Sequence, residues 1–401
     1  MDATKVRRCG VCGRDEVRSL RHQEFLLPGE TRTGYDVVSC VDCGFCFARP
    51  LDGFETALGA HYQKTRKYAY EGSGNVAEGL LATHRASADF IVGRIRDLSP
   101  PLGGGATAVL DVGCATGQLL SFLRDRGLTE IMGLDPAPEC RKVARRLFDL
   151  DVKTGTLADF RSDRRFGAIV LWNVLEHVLY PATFVASAGA LLDEEGVVFL
   201  QLPDAGRFGY ERDEPFQELS VEHVNYFTDA SLAGLMANCG FQPIEIRSEV
   251  VRSGGSSGAV LTAVFRKTAG VPPGPADAGP FARYLEWSSG RLAAISAAID
   301  ALVEGREELV VWGAGALTAR LLVDTRLAQA RIVAFVDSDS ALHGRTLAGR
   351  PVLPPESLRG GLGTVLVASV RWESEILSAL GGPLEWRGAA RTLRDAGFSR
   401  S

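Results

Sequence analysis

The sequence predicts an α/β protein built on a doubly wound, mainly parallel sheet that closes with an antiparallel hairpin. A small cysteine-rich module precedes this sheet and a second α/β unit follows it. Three observations carry this expectation. From residue 108 onward, apolar strands of about five residues alternate with amphipathic helices, the pattern of a sheet covered on both faces. Two glycine turns, Gly113-x-x-x-Gly117 and Gly313-x-Gly315, each follow an apolar strand and open a helix. Five of the eight cysteines lie in the first 46 residues, which sets that segment apart chemically.

Bulk properties narrow the function classes. A chain of 401 residues has room for two or three domains, each burying its own core. With 46% hydrophobic and 23% charged residues the composition is that of a globular protein. The net charge of -5 and the scattered Arg and Lys residues argue against a nucleic-acid partner. The run from Arg141 to Arg146 reads as a solvated helix face. The polar start and the lack of a bilayer-length apolar run lead us to expect no membrane partner and a cytoplasmic location, where thiols stay reduced. No oligomeric state is specified.

The elements follow in order. Cys9-Gly-Val-Cys12 and Cys40-Val-Asp-Cys43 are two CxxC knuckles 27 residues apart, each followed by Gly. Four thiolates from Cys9, Cys12, Cys40 and Cys43 would close a tetrahedral zinc site with no open position, hence a structural zinc. Reduced, unligated turns are the alternative. Cys46 is either a substitute ligand or a small buried apolar residue. Tyr35 to Cys40 alternates at period two and is a strand candidate in this four-cysteine zinc-binding domain, residues 1–60. Tyr62, Tyr68 and Tyr70, interleaved with Lys64, Arg66 and Lys67, form either a lid or a surface linker. A helix is expected from Ala77 to Leu98, stopped by Ser99-Pro-Pro101. Strands are expected near 108–113, 131–135, 152–155, 168–173 and 197–202. Two more, near 241–249 and 258–266, are too close together for a crossover helix and must pair as a hairpin.

The first glycine turn selects its ligand by spacing. Gly113 and Gly117 permit positive φ and a close backbone approach, and the helix that follows favours an anionic group. Asp111, just before the turn, can receive an ammonium group, and Asp135, 24 residues further on, can accept both hydroxyls of a ribose. A ligand with an amino acid at one end and a ribose in the middle is S-adenosylmethionine. Its expected contacts are Asp111, Gly113, Cys114, Ala115, Gly117, Gln118, Asp135, Pro136, Leu157, Trp172 and Asn173. Cys114 contributes its backbone, Leu157 an adenine contact, and Asn173 backbone groups near the methionine half.

These residues, together with the segment from Ile169 to Val178, resemble the class I S-adenosylmethionine-dependent methyltransferases over roughly residues 80 to 266. The resemblance implies a doubly wound sheet ending in a hairpin, placed here as a domain over residues 61–268. After the Pro/Gly-rich linker 269–280, a helix from Phe281 to Val303 leads into the second glycine turn and a strand ending at Asp337. The turn Gly313-x-Gly315-x-x-Thr318 is close to a dinucleotide fingerprint, but the segment is short for a dinucleotide fold with its own substrate domain. A Rossmann-like domain over 281–401 that docks on the catalytic domain and contacts the substrate is the reading adopted.

The three-part arrangement resembles the three-domain sugar C-methyltransferases of deoxysugar biosynthesis. That resemblance implies a nucleotide-linked keto-deoxysugar between the second and third domains, methylated at a carbon beside the ketone, in secondary-metabolite, antibiotic or surface-sugar biosynthesis. Carbon methylation needs a base for the α-proton and a group that stabilises the enolate. His223 is the expected base, with Glu222 as the carboxylate that orients it and His177 as a second candidate. The family segment resembles Tyr-His-Glu-His followed by an aromatic pair; Glu222, His223, Tyr226 and Phe227 match it, whereas Ser220 and Val221 do not. Three alternatives stay open: a small-molecule O- or N-methyltransferase, a non-catalytic nucleotide-binding relative, and a purely anchoring role for the His223 segment.

Overall fold

Strands that are apolar on both faces require cover on both sides, and this requirement organises the middle of the chain. The computed structural model describes residues 7–27, 31–58, 78–98, 107–209, 214–253, 256–268, 274–361 and 363–393. The expected lid residues Tyr62, Lys64, Arg66, Lys67, Tyr68 and Tyr70 lie outside the described residues.

Seven strands form the central sheet. In chain order they are β4 (Val109–Val112), β5 (Ile131–Asp135), β6 (Val152–Thr154), β7 (Phe166–Trp172), β8 (Leu192–Pro203), β10 (Phe241–Ser253) and β11 (Ser256–Lys267). In space they run β10-β11-β8-β7-β4-β5-β6. All seven residues of β7 are buried. Its period-two alternation sends Val170 to one cluster and Ile169 and Leu171 to the other. Helices α1 (Glu78–Leu98), α2 (Gln118–Asp125) and α3 (Pro138–Phe148) cover the first face through Ile91, Leu120 and Ala144. Helices α4 (Pro181–Leu191) and α5 (Asp229–Asn238) cover the second through Val185, Leu232 and Leu235. The hairpin expected from the short gap is present: β10 and β11 are antiparallel, pairing out to Ser253 and Ser256. β11 also runs antiparallel to β8.

The cysteine-rich module is a sheet of β1 (Val17–Leu27), β2 (Thr31–Cys40), β3 (Cys46–Pro50) and β9 (Asn225–Tyr226), in that order. This sheet takes a strand from beyond residue 60. The outer edge of β3 pairs Cys46 with Tyr226 and Phe47 with Asn225, so a segment 170 or more residues away completes the sheet. The physical reason is edge satisfaction: β3 would otherwise bury unpaired backbone groups. Cys46 is buried in the cluster around Tyr35 and Tyr226.

The third sheet is ordered β14-β15-β13-β12-β16-β17, from β12 (Glu308–Trp312), β13 (Arg331–Val336), β14 (Thr346–Leu347), β15 (Arg350–Leu353), β16 (Thr364–Val367) and β17 (Ala389–Thr392). All its pairings are parallel except β14 with β15. Helix α6 (Gly279–Gly305), 27 residues and about 40 Å long, joins the bodies. Its first turns pack Phe281, Tyr284 and Leu285 against Phe208 and Tyr226, and its later turns pack Ile295 and Ile299 against the third sheet. Helix α7 (Ala316–Asp324) faces β1, where Arg21 meets Asp324 at 3.3 Å. No helix of the described residues is long and apolar enough to cross a membrane.

Candidate active site

The strand order of the central sheet reverses around β4 and β7, which opens a crevice at their carboxyl ends. Asp111, on β4, is 2% exposed and receives no hydrogen bond from any described residue. Burial first, and the neighbouring Asp135 second, push its carboxyl up to about 8.

Asp135 ends β5 and is braced from two sides: Oδ2 accepts the Ala115 N–H and Oδ1 the Ala137 N–H, both at 2.9 Å. The carboxylate also meets the Cys140 thiol, and its remaining lone pairs suit a ribose hydroxyl. Between the two acids the turn is left-handed at Gly113 (φ 75°), Ala115 (φ 48°) and Gly117 (φ 78°). A Cβ at Gly113 would lie 2.7 Å from Val174 Cγ2. Gly113→Ala is therefore expected to cost about 1 to 3 kcal/mol of stability and to weaken cofactor binding. Denaturant unfolding and calorimetry check both effects, and an unchanged midpoint would contradict the strain at this turn.

The other expected contacts divide. Gln118 opens α2, and its Oε1 lies 2.9 Å from Nδ1 of His84 on α1, a partner that sequence reasoning missed. Burial lowers the pKa of His84, keeping it neutral. Cys114 packs its thiol beside Gly133 and leaves its backbone at the turn. Pro136 is exposed beside Asp135. Leu157 is 5% exposed, so its side chain belongs to the core and only its backbone is left to face a ligand. An adjacent cavity of about 320 Å³ is lined by Met132, Leu134, Thr156 and Phe160 instead. Asn173 stands at φ 55°, a conformation asparagine tolerates. Its N–H is committed to the Gln201 carbonyl at 2.7 Å, which leaves its carbonyl for a ligand. The Trp172 indole packs on the α1 side of the sheet.

Beyond β7, the two histidines singled out in the sequence meet. His177, in the 3-10 turn Leu175–His177, and His223 have ring centroids 4.9 Å apart at 71°. His177 Nδ1 lies 3.0 Å from the Glu222 carbonyl, which accepts its proton and leaves Nε2 as the acceptor nitrogen of the neutral ring. A second carboxylate stands beside the pair. Glu176, 2% exposed, is the acid grouped with His177 and His223, with its Oε1 3.8 Å from His177 Nε2. Glu222 contributes its carbonyl to the pair, and the residue also lines a second cavity.

The mismatched Ser220 has a local role. Its Oγ accepts the His223 N–H at 3.0 Å and its carbonyl accepts Tyr35 Oη at 2.8 Å. Val221 is buried among the aromatic residues of the loop. Phe216, in a left-handed conformation (φ 54°), is covered by Arg21 at 3.6 Å and Arg320 at 5.9 Å from its ring centroid. On the far side of this loop is a cavity of about 450 Å³, lined by Leu27, Ser220, Glu222, Gly315, Arg320 and Arg345 among others. It brings the N-terminus of α7 opposite the loop that carries His223. At that second glycine turn, Asp337 Oδ2 accepts the Ala314 N–H at 2.7 Å, the same bracing that Asp135 provides.

Cys9, Cys12, Cys40 and Cys43 gather with their sulfur atoms within 4.8 Å of one another. Cys9 and Cys43 sulfurs, and Cys12 and Cys40 sulfurs, are each 3.5 Å apart. A tetrahedral zinc with bonds of about 2.3 Å needs edges of about 3.8 Å, so the donor set fits with a small expansion. The Gly13 and Gly44 N–H groups close the two knuckles onto Cys9 and Cys40 carbonyls at 3.0 Å. Cys46 is not a member of the group.

Residues 81–246 match the family model of a methyltransferase domain. Among curated proteins, the chain is similar to a ubiquinone biosynthesis O-methyltransferase of Methylocella silvestris, 34% identical over 118 residues, covering 27% of this chain and 44% of that one. A ubiquinone biosynthesis O-methyltransferase of Xanthomonas axonopodis pv. citri is 27% identical over 164 residues, covering 37% and 68%. The chain spans about half the length of the curated relatives it matches. Among solved structures, it is similar to an amino pentose methyltransferase from Micromonospora echinaspora with S-adenosylmethionine bound. The identity there is 19%, over 51% of this chain and 96% of that one, with a TM-score of 0.35. The corresponding values for a Burkholderia thailandensis 1,6-didemethyltoxoflavin-N1-methyltransferase are 18%, 57%, 97% and 0.38.

Proposed function

We propose that this chain, whose residues 81–246 carry a class I S-adenosylmethionine-dependent methyltransferase domain, methylates a carbon of a nucleotide-linked keto-deoxysugar. The observation that carries the methyl-donor half is Asp111: a buried acid at the strand-order reversal, raised by burial and by the neighbouring Asp135. Asp111 holds the ammonium of the donor, and Asp135 orients its ribose. When bound, S-adenosylmethionine supplies a methyl group already activated by its sulfonium. The protein's remaining work is alignment, exclusion of water and removal of one proton.

In this reading the His223 imidazole takes the proton α to the ketone, and His177 stands against it with Glu176 behind. The 450 Å³ cavity supports the nucleotide half of the acceptor: Arg320, Arg345 and the α7 N-terminus suit a diphosphate, while Glu24, Glu214 and Glu222 on the same wall suit hydroxyl donors. Incubation with S-adenosylmethionine and candidate nucleotide ketosugars should yield a product heavier by one methyl group. Deuterium wash-in from solvent at the α-carbon is expected; methylation without exchange would reject a carbon acceptor.

A second reading is methylation of oxygen, favoured by the names of the curated relatives and by Ser220 at the position where the sugar C-methyltransferases resemble one another in a tyrosine. The wash-in experiment separates the two.

The four-cysteine group holds a structural zinc in this reading. Purified protein is expected to carry about one zinc ion per chain, and chelation should lower the unfolding temperature while S-adenosylmethionine still binds. A metal content near zero in protein prepared without chelator would remove the assignment.

A further inference from the structure

The His177–His223 contact joins two loops that are far apart in the chain, and the structure shows what holds them in register. Asn225, 3% exposed, donates from Nδ2 to the Leu175 carbonyl at 2.6 Å and to the Val178 carbonyl at 2.7 Å. These carbonyls flank the Glu176-His177 turn on both sides. The same loops are zipped by Val224 N–H to the Glu176 carbonyl at 2.8 Å. Asn225 is held in turn through its Oδ1, which accepts from Arg7 Nη2.

Arg7 is 7% exposed, and every oxygen it meets is neutral. Nη1 donates to the Ala48 carbonyl at 2.6 Å and the Val224 carbonyl at 2.9 Å; Nε donates to the Leu179 carbonyl at 2.9 Å. Its guanidinium also lies 5.1 Å from the Phe47 ring centroid. One planar fork therefore touches β3 of the cysteine-rich module, the residues after His223 and the residues after His177. Its own backbone is held by Arg49, whose Nε donates to the Arg7 carbonyl at 3.1 Å, and by Cys9 two residues on in the four-cysteine group. A buried cation among neutral carbonyls is costly to maintain and contributes little to stability compared with an apolar residue of similar volume. Its multidentate geometry is what an apolar residue cannot supply.

We propose that Arg7 and Asn225 are positioning residues: together they bracket the two loops so that the His177 and His223 rings stay in contact. The proposal rests on the reading of His223 as the base only for its effect on turnover, and its test therefore has a readout independent of turnover. The two variants are Asn225→Asp, isosteric, which keeps an acceptor for Arg7 but loses both donations to the His177 turn, and Arg7→Lys, which keeps the charge but not the fork. With six histidines in the chain, the imidazole resonances are assignable by single His→Asn substitutions.

In both variants the His177 and His223 imidazole resonances are expected to shift, while the S-adenosylmethionine Kd stays within about twofold, since the cofactor crevice lies outside the bracket. Turnover is expected to fall about 10- to 100-fold, mostly in kcat, because small misplacements of a reacting group cost rate more than binding. Unmoved imidazole resonances in a variant that still binds S-adenosylmethionine would overturn the proposal. Should one substitution prevent folding, the other decides alone. If the resonances move and turnover does not, the bracket stands and the base assignment of His223 falls.

Discussion

His223→Ala is expected to reduce turnover about 100- to 10,000-fold, the range spanned by general bases, with S-adenosylmethionine affinity unchanged. The split follows from geometry: His223 meets His177 beyond β7, whereas the proposed donor contacts are Asp111, Gly113 and Asp135 at the first glycine turn. His177→Ala is expected to cost less, because this ring is already tied through Nδ1 to the Glu222 carbonyl and acts on its neighbour. In the pH profile of kcat/KM for the acceptor, taken with S-adenosylmethionine saturating at every pH, the acid limb should disappear in His223→Ala and survive in His177→Ala. Equal losses with both limbs intact would mean that the pair only shapes the loop. Glu222→Gln should leave turnover closer to wild type than Glu176→Gln, since Glu176 is the acid grouped with the two rings.

The second large effect concerns protons at Asp111. Without ligand its carboxyl is pushed up to about 8, by burial and then by Asp135, so it is protonated at neutral pH. Binding an ammonium there favours the carboxylate and releases that proton. Affinity for S-adenosylmethionine is therefore expected to rise up to tenfold per pH unit as pH approaches 8. Above that it should fall, because an α-amino group itself loses its proton near pH 8. Calorimetry in buffers of different ionisation enthalpy would detect the released proton at pH 7. Asp111→Asn should weaken binding about 10- to 100-fold and flatten the rising limb. The stability of the unliganded protein carries the matching sign. The folded state keeps a proton that the unfolded chain gives up near pH 4, so stability falls as pH rises from about 4 to about 8 and levels beyond. Affinity independent of pH from 6 to 8 would place the ammonium elsewhere.

Much of the fold was legible because it depends on local signals. Period-two alternation and glycine turns marked β4, β5, β7 and β8, and the short gap after residue 249 required the β10–β11 hairpin. The nearness of Asp111 and Asp135 was legible for the same reason: they lie near the carboxyl ends of adjacent parallel strands, so their spacing in the chain implies proximity in space. The acceptor side was less so. Glu176 was not legible as a neighbour of His223 because it lies 47 positions before it, although the two residues are drawn together by Val224 and Asn225. Arg7 and Asn225 carry no motif; a buried arginine is indistinguishable in sequence from a surface one.

By itself, then, the sequence determined the alternating architecture, the first glycine turn and the four-cysteine group, all of which repeat a local pattern over a few residues or between adjacent strands. Only the tertiary structure decided which residues gather around His177 and His223. β9 leaves the methyltransferase segment to finish the sheet of the cysteine-rich module, and the loop it anchors is gripped by Tyr35, Arg21 and Arg320 from two other bodies. The reason is physical: an edge strand and a buried carbonyl take whichever partner satisfies their hydrogen bonds, and that partner is chosen by packing across hundreds of residues.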